Sequence, residues 1–255
     1  MTLVLHRKAG VPEVEVVETE KIDLKNPLLV MGFIGAGVVG EIAVNHIIDQ
    51  LNMKEIAHIR SRYMPPSVVF TNGNLKHPFR IYSDEKGKLC VVICDTPLRS
   101  DGLYPIASTI LDWAEEKGVK ELVVLEGVPV RGIPKERETF CAAEPEKRKE
   151  CEEKGVKMFS RGIIHGIVGS ILNECLTRKI IGVAFLTPAV AFIPDPEGAA
   201  ALISTLNKTY GMDIDVKELL KKADEIKRKL KEVAEAHRRM RRAEEKSGMA
   251  ERIYT

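Results

Sequence analysis

The sequence predicts an α/β fold, a three-layer sandwich with a projecting C-terminal coiled-coil helix, and three observations lead there. Strand-like runs alternate with helical patterns along most of the chain, helix-ending residues stand where those patterns stop, and a charged heptad stretch follows the last of them. A hydrophobic share of 44% over 255 residues supports one sizeable core with appendages and argues against wholesale disorder. The expected division is an α/β domain over residues 1–214, a coiled-coil helix over 215–247 and a flexible tail over 248–255.

In chain order, strand patterns fall at Val14–Val17, Leu28–Ile34, Glu55–Ile59, Val68–Thr71, Leu89–Cys94, Glu121–Glu126 and Ile180–Phe185. Helical patterns fall at Val38–Leu51, Leu103–Lys117, His165–Thr177 and Pro196–Tyr210. Strands separated by helices imply a largely parallel sheet, while the closely spaced early strands imply mixed or antiparallel pairing. Gly118 follows Lys117 as a C-terminal cap does, Asp195-Pro196 reads as N-cap and first-turn proline, and Gly211 closes the helix ending at Tyr210. The polar stretch Pro134–Gly155 reads as a surface excursion with some helix. Cys90 and Cys94 share one face of a strand and are expected to be buried, reduced thiols. Cys141 and Cys151 flank a charged segment, with a bridge as the lesser alternative to free thiols.

Charge excludes several partners. Lys and Arg number 39 against 37 Asp and Glu, so no global field draws the protein to nucleic acid or an anionic membrane. The basic cluster Arg238, Arg239, Arg241 and Arg242 has no interleaved aromatics and runs into Glu244 and Glu245, which reads as a solvated or protein-facing patch. The opening residues MTLVLHRKAG lack a signal-peptide pattern, and no apolar run reaches the ~18 residues of a membrane span, so a cytoplasmic location is expected. Five cysteines without a CxxC pair and six histidines without i, i+4 spacing predict no metal site, and no cofactor is expected.

One segment invites an enzymatic reading. Gly35, Gly37 and Gly40 satisfy GxGxxG between a strand and a helix, the pattern of a dinucleotide site within the glycine loop 32–40. The following strand, however, ends in Arg60-Ser61-Arg62 rather than in a ribose-binding acid, and no catalytic set follows. Close packing of strand and helix backbones explains the glycines without a ligand. His165, among Gly162, Gly166 and Gly169, and Asp95, at a strand end, outline a second enzymatic alternative, a nucleoside pocket. A capping role is the commoner one for such residues, and Ser160, Ser170 and Thr187 lack a nucleophile elbow. No catalytic, cofactor-binding or metal residue is assigned.

After a capping-box-like start at Asp215 and Glu218, the positions Leu219, Ala223, Ile226, Leu230, Val233, His237 and Met240 alternate by four and three. That is an a/d seam among charged residues, the mark of a helix that pairs with other helices. Self-association follows, with a tetramer favoured.

Taken in order, a set of short motifs resembles the proteasome assembly chaperone family of the chaperone-2 type, in its archaeal form. They are GFIGAGVVG, Tyr63-Met64-Pro65-Pro66, Thr71-Asn72-Gly73 with Pro78, Cys94-Asp95-Thr96-Pro97 and Trp113-Ala114 before Gly118-Val119. Further on stand Leu125-Glu126-Gly127-Val128-Pro129, Gly162-Ile163-Ile164-His165-Gly166 and Asp195-Pro196, so that the likeness spans Asn26 to Tyr210. The resemblance implies a phosphorylase/hydrolase-like sandwich without catalytic function. The final residues, Ile253-Tyr254-Thr255, resemble the hydrophobic-tyrosine-any tails that dock between α-subunits of the 20S proteasome. With the heptad helix, they liken the chain to the type B archaeal homologue, a homo-oligomeric binder of the proteasome α-ring that assists assembly or activates the particle. Ile253, Tyr254 and Thr255 are therefore the expected partner-binding residues.

Overall fold

A computed structural model describes residues 12–229 apart from 22, 72, 133 and 135, together with residue 232. The chain divides into two compact units, Met1–Asp215 and Val216–Thr255. In the first, the strands are β1 (Val14–Glu18), β2 (Leu28–Phe33), β3 (Lys54–Ser61), β4 (Val69–Thr71), β5 (Asn74–Lys76), β6 (Phe79–Ser83) and β7 (Leu89–Cys94). They continue as β8 (Glu121–Val130), β9 (Phe140–Ala143), β10 (Lys157–Met158) and β11 (Ile181–Val190). The helices are α1 (Val39–Gln50), α2 (Leu103–Glu116), α3 (Pro145–Glu153), α4 (Gly166–Arg178) and α5 (Pro196–Tyr210). In the second unit, residues 217–229 are helical, and the rest of the heptad seam from Leu230 onward lies outside the described residues.

Nine strands form one sheet in the order β1-β3-β6-β7-β2-β8-β11-β9-β10, and β4-β5 form a separate hairpin. The centre, β7-β2-β8-β11, is parallel, as helical crossovers require. β6 pairs antiparallel with β3 and, across a short turn, with β7, as closely spaced strands do, whereas β1 pairs antiparallel with β3 although β2 and α1 lie between them in the chain. Buried on both faces, β7 is apolar at every position from Leu89 to Cys94.

The period of two along β2 sorts the layers. Leu29, Met31 and Phe33 join Cys90, Val92 and Cys94 in a core shared with Ile106, Ile110 and Leu111 of α2 and Val168 and Ile171 of α4. The alternate residue Gly32 faces α1, where a β-carbon would touch Val44, and α1 packs beside α5. Helices α2 and α4 therefore cover one face and α1 and α5 the other, giving three layers.

Local punctuation is realised. Asp195 accepts a hydrogen bond from the Gly198 amide (3.0 Å) with Pro196 at the first turn of α5, and Gly118 and Gly211 take left-handed φ of 71° and 65° after α2 and α5. Two expectations need correction. Strands β5, β6, β9 and β10 were not legible as strands, and Pro134–Gly155 is more than a surface excursion. It supplies β9, which pairs antiparallel with β11 and buries Cys141. Both β9 and β6 are short, and their pairing is decided by neighbours distant in sequence rather than by their own periodicity.

Backbone sets the spacing between sheet and helix. A β-carbon on Gly32 would lie 2.1 Å from the Gly40 carbonyl oxygen, one on Gly40 2.2 Å from the Leu125 oxygen, and one on Gly127 2.2 Å from the Ala36 oxygen. Three backbones thus meet with no room for a methyl group. Gly40→Ala is expected to lower unfolding free energy by about 1–3 kcal/mol, because neither carbonyl is a side chain that can swing aside. Denaturant titration checks this, and an unchanged midpoint would contradict the close approach.

Candidate functional site

The glycine loop leaves β2 at Phe33 and enters α1 at Val39, with Gly37 and Val38 both left-handed at φ 64° and 53°. Its inner side is filled by the protein. A β-carbon on Gly35 would sit 2.0 Å from Oε1 of Glu126, whose carboxylate accepts a hydrogen bond from the Gly127 amide (2.9 Å). Gly37 lies against Ala189 and Asp195, and its carbonyl accepts from the Asp195 amide (2.8 Å). Burial pushes the Glu126 carboxyl up to about 7. A carboxyl group in this place opposes a phosphate, and the glycines at 32, 40 and 127 are explained by backbone contact alone.

Topology removes the other half of the dinucleotide pattern. In such a site the strand carrying the ribose-binding residue neighbours the glycine strand. Here β7 and β6 stand between β2 and β3, so Arg60 and Arg62 belong to a distant part of the sheet. Arg60 instead pairs with Glu15 of β1 (3.4 Å).

Beyond the ends of β2 and β7 lies a partly buried charge cluster. Arg80 of β6, 4% exposed, pairs with Asp95 (2.7 Å), donates through Nε to the Tyr82 hydroxyl (2.9 Å) and also donates to the His77 carbonyl. Glu41 of α1 lies against Asp95 and accepts from the Asn45 amide (2.5 Å). Burial, reinforced by the Asp95 charge, pushes Glu41 up to about 7. The arginine balances the Asp95 charge while Glu41 is free to hold a proton, although Asp95 Oδ2 is buried without a hydrogen bond. His165 is exposed at the N-terminus of α4, and among the described residues no hydrogen bond or ion pair joins it to Asp95.

Two juxtapositions were beyond the sequence pattern. The rings of His58 and His77 stack at 3.7 Å, and burial lowers His58 to about 4, so the His58 ring packs in its neutral form. Arg137 pairs with Asp195 (2.9 Å), both nearly buried, which ties the segment before β9 to the cap of α5. Nothing about Arg80, Glu41 or Arg137 in local sequence marks a partner; an arginine interrupting the apolar run of β6 was the one available signal. No group of three or more His, Cys, Asp or Glu side chains among the described residues is placed to hold a metal ion. Ile253, Tyr254 and Thr255 lie outside the described residues.

The Glu126 environment has a pH signature. Its folded pKa is raised, so its contribution to stability is whole below the unfolded value near 4.5 and is lost as pH rises through about 7. Glu126→Gln keeps the acceptor for Gly127 and removes the ionisation. It is expected to match the parent near pH 4 and exceed it near pH 8 by roughly 1–3 kcal/mol. Denaturation curves at both pH values test this, and a constant difference would contradict it.

Comparison with known proteins follows the same outline. An uncharacterized protein of Methanocaldococcus jannaschii is 30% identical over 230 residues, covering 90% of this chain and 94% of that protein. The crystal structure of Pyrococcus furiosus PbaA, described as an archaeal homolog of proteasome-assembly chaperone, matches with a TM-score of 0.81 at 27% identity, covering 92% of this chain and 98% of that one. Pyrococcus furiosus PbaB, described as an archaeal proteasome activator, matches with a TM-score of 0.78 at 26% identity over 87% and 99% of the two chains. These values do not separate the two homologues. The PAC2 family pattern matches residues 29–234, which take in every strand and helix from β2 to α5, and the chain belongs to the PAC2 family.

Proposed function

We propose that the protein is a non-enzymatic proteasome assembly chaperone or activator that self-associates and docks its C-terminal residues on the 20S α-ring. The observation that carries this reading is the match along nearly the whole chain to PbaA and PbaB, one a homolog of an assembly chaperone and the other an activator. Glycine packing supports it from within. The loop that invited a nucleotide is occupied by Glu126, so the fold's one enzymatic motif serves the core instead. No helix among the described residues is long and apolar enough to cross a membrane, which suits a partner in the cytoplasm.

The tail is assigned the contact on chemical grounds. Ile253 offers an apolar anchor, Tyr254 a ring with a hydroxyl, and Thr255 a polar end. One such tail binds weakly, and several carried on one oligomer gain roughly 10²- to 10⁴-fold in avidity when geometry allows simultaneous engagement. The a/d seam beginning at Leu219 is the proposed means of gathering them, in a homo-oligomer with a tetramer favoured. The type B likeness belongs to the same reading, since it rests on tail and seam.

Two experiments test the parts separately. In a pull-down with proteasome α-rings, deletion of Ile253–Thr255 is expected to abolish capture, and Tyr254→Ala to weaken it about thirtyfold per tail, with mass and melting unchanged. Equal capture by the tail-deleted protein would place the interface on the globular unit. In light scattering, Ile226→Asp combined with Leu230→Asp is expected to lower the mass, because charges at a and d positions cannot be buried between helices. An unchanged mass would mean that the seam is not a contact between copies.

A further inference from the structure

The edge of the sheet beyond β11 holds a feature that neither the tail nor the glycine loop uses. Cys141 on β9 and Cys151 on α3 are free thiols, 1% and 0% exposed, on two elements that pack together, and their side chains lie against each other. Helix α3 is charged along most of its length, and its buried residues are Lys147 and Cys151. Lys147 pairs with Glu121 (2.9 Å) and Glu150 (2.8 Å). Lys147 also lies over the Tyr210 ring, and Lys154 at the end of α3 donates to the Thr209 carbonyl. A short helix held by a few polar contacts and one thiol opens locally at low cost, which exposes Cys151 while Cys141 stays in the ladder with β11.

We propose that Cys141 and Cys151 form a reversible oxidation site, an intrachain disulfide that clamps α3 onto the sheet edge when a low-molecular-weight disulfide is the oxidant. The Cys151 thiolate attacks the oxidant, forming a mixed disulfide and releasing one thiol. Cys141 then loses its proton and attacks the Cys151 sulfur, expelling the second thiol. Two S–H bonds are replaced by one S–S bond, and the two electrons and two protons end on the two released thiols. Roles follow from the contact. The contact with Cys141, helped by the Lys147 charge, lowers the Cys151 thiol below its ordinary value, whereas Cys141 is raised. The other three cysteines are bystanders, since burial pushes Cys90, Cys94 and Cys175 up to about 12.

The test incubates the full-length protein with oxidised glutathione, then denatures, alkylates, digests with trypsin and maps the peptides by mass. Lys147, Arg148 and Lys149 lie between the two cysteines, so the digest separates their peptides unless a bridge joins them. The expected result is a joined pair carrying Cys141 and Cys151, reversed by dithiothreitol, with a higher melting temperature for the bridged protein. Cys151→Ser is expected to remove both effects, and if that variant does not fold the peptide map of the parent decides alone. Full alkylation of all five cysteines at every oxidant ratio would overturn the proposal. So would bridges confined to other cysteines or to pairs of chains, while a bridged protein that melts like the reduced one would overturn the clamp.

Discussion

The architecture depends on the distance at which one helix lies on the sheet. Gly32, Gly40 and Gly127 let the backbones of β2, α1 and β8 approach until carbonyl oxygens occupy the space of side chains. Such contact excludes any larger residue and so defines where α1 begins and how it is inclined. Consequences follow along the chain. The loop entering α1 must turn sharply, which it does through left-handed Gly37 and Val38, and this turn presents the Gly37 carbonyl to the amide of Asp195. Asp195 in turn caps α5, which lies beside α1 on the same face. Packing of three glycines is thereby passed, contact by contact, to the start of a helix far along the sequence.

Polar groups inside the molecule follow the same economy. Arg80 pairs with Asp95 and donates to Tyr82 beside Glu41, and Arg137 pairs with Asp195. Each charge has a partner of opposite sign or a raised pKa that lets it remain neutral, as burial requires. A catalytic site needs the opposite arrangement, a group kept reactive and facing a substrate. Glu126 and Glu41 have shifted pKa values, but the first is folded against the glycine loop and the second rests against an already paired Asp95. Their perturbation arises from holding the fold together.

The two ends of the sheet are built differently. At the first edge, β1 is tied down by Glu18, which accepts from the Trp113 indole (3.0 Å) and pairs with Lys117 at the end of α2. At the other, β9 and the two-residue β10 finish the sheet with α3 laid between them in sequence. Short, covered strands at an edge limit pairing with foreign chains. Apolar burial is thin there, and α3 is held by the Cys141–Cys151 contact, the Lys147–Glu121 ion pair and the hydrogen bond from Lys154 to the Thr209 carbonyl.

Much of this was legible in sequence, for a local reason. Strands such as Leu89–Cys94 and helices such as Pro196–Tyr210 carry their own periodicity, and Asp195-Pro196, Gly118 and Gly211 mark their ends through backbone preferences of single residues. The order of motifs from the glycine loop to Asp195 likewise pointed to the right family, because each reports a turn or a cap the fold requires. Strand order was not legible. That β6 and β7 separate β2 from β3 depends on pairings between residues remote in the chain, and it alone decided that Arg60 and Arg62 have no part in the glycine loop. The same holds for Glu126 against Gly35, Arg80 between Tyr82 and Asp95, and Cys141 against Cys151. A residue's type and neighbours set its local conformation, but the partner that gives it a role is chosen only when the sheet closes and brings distant segments together.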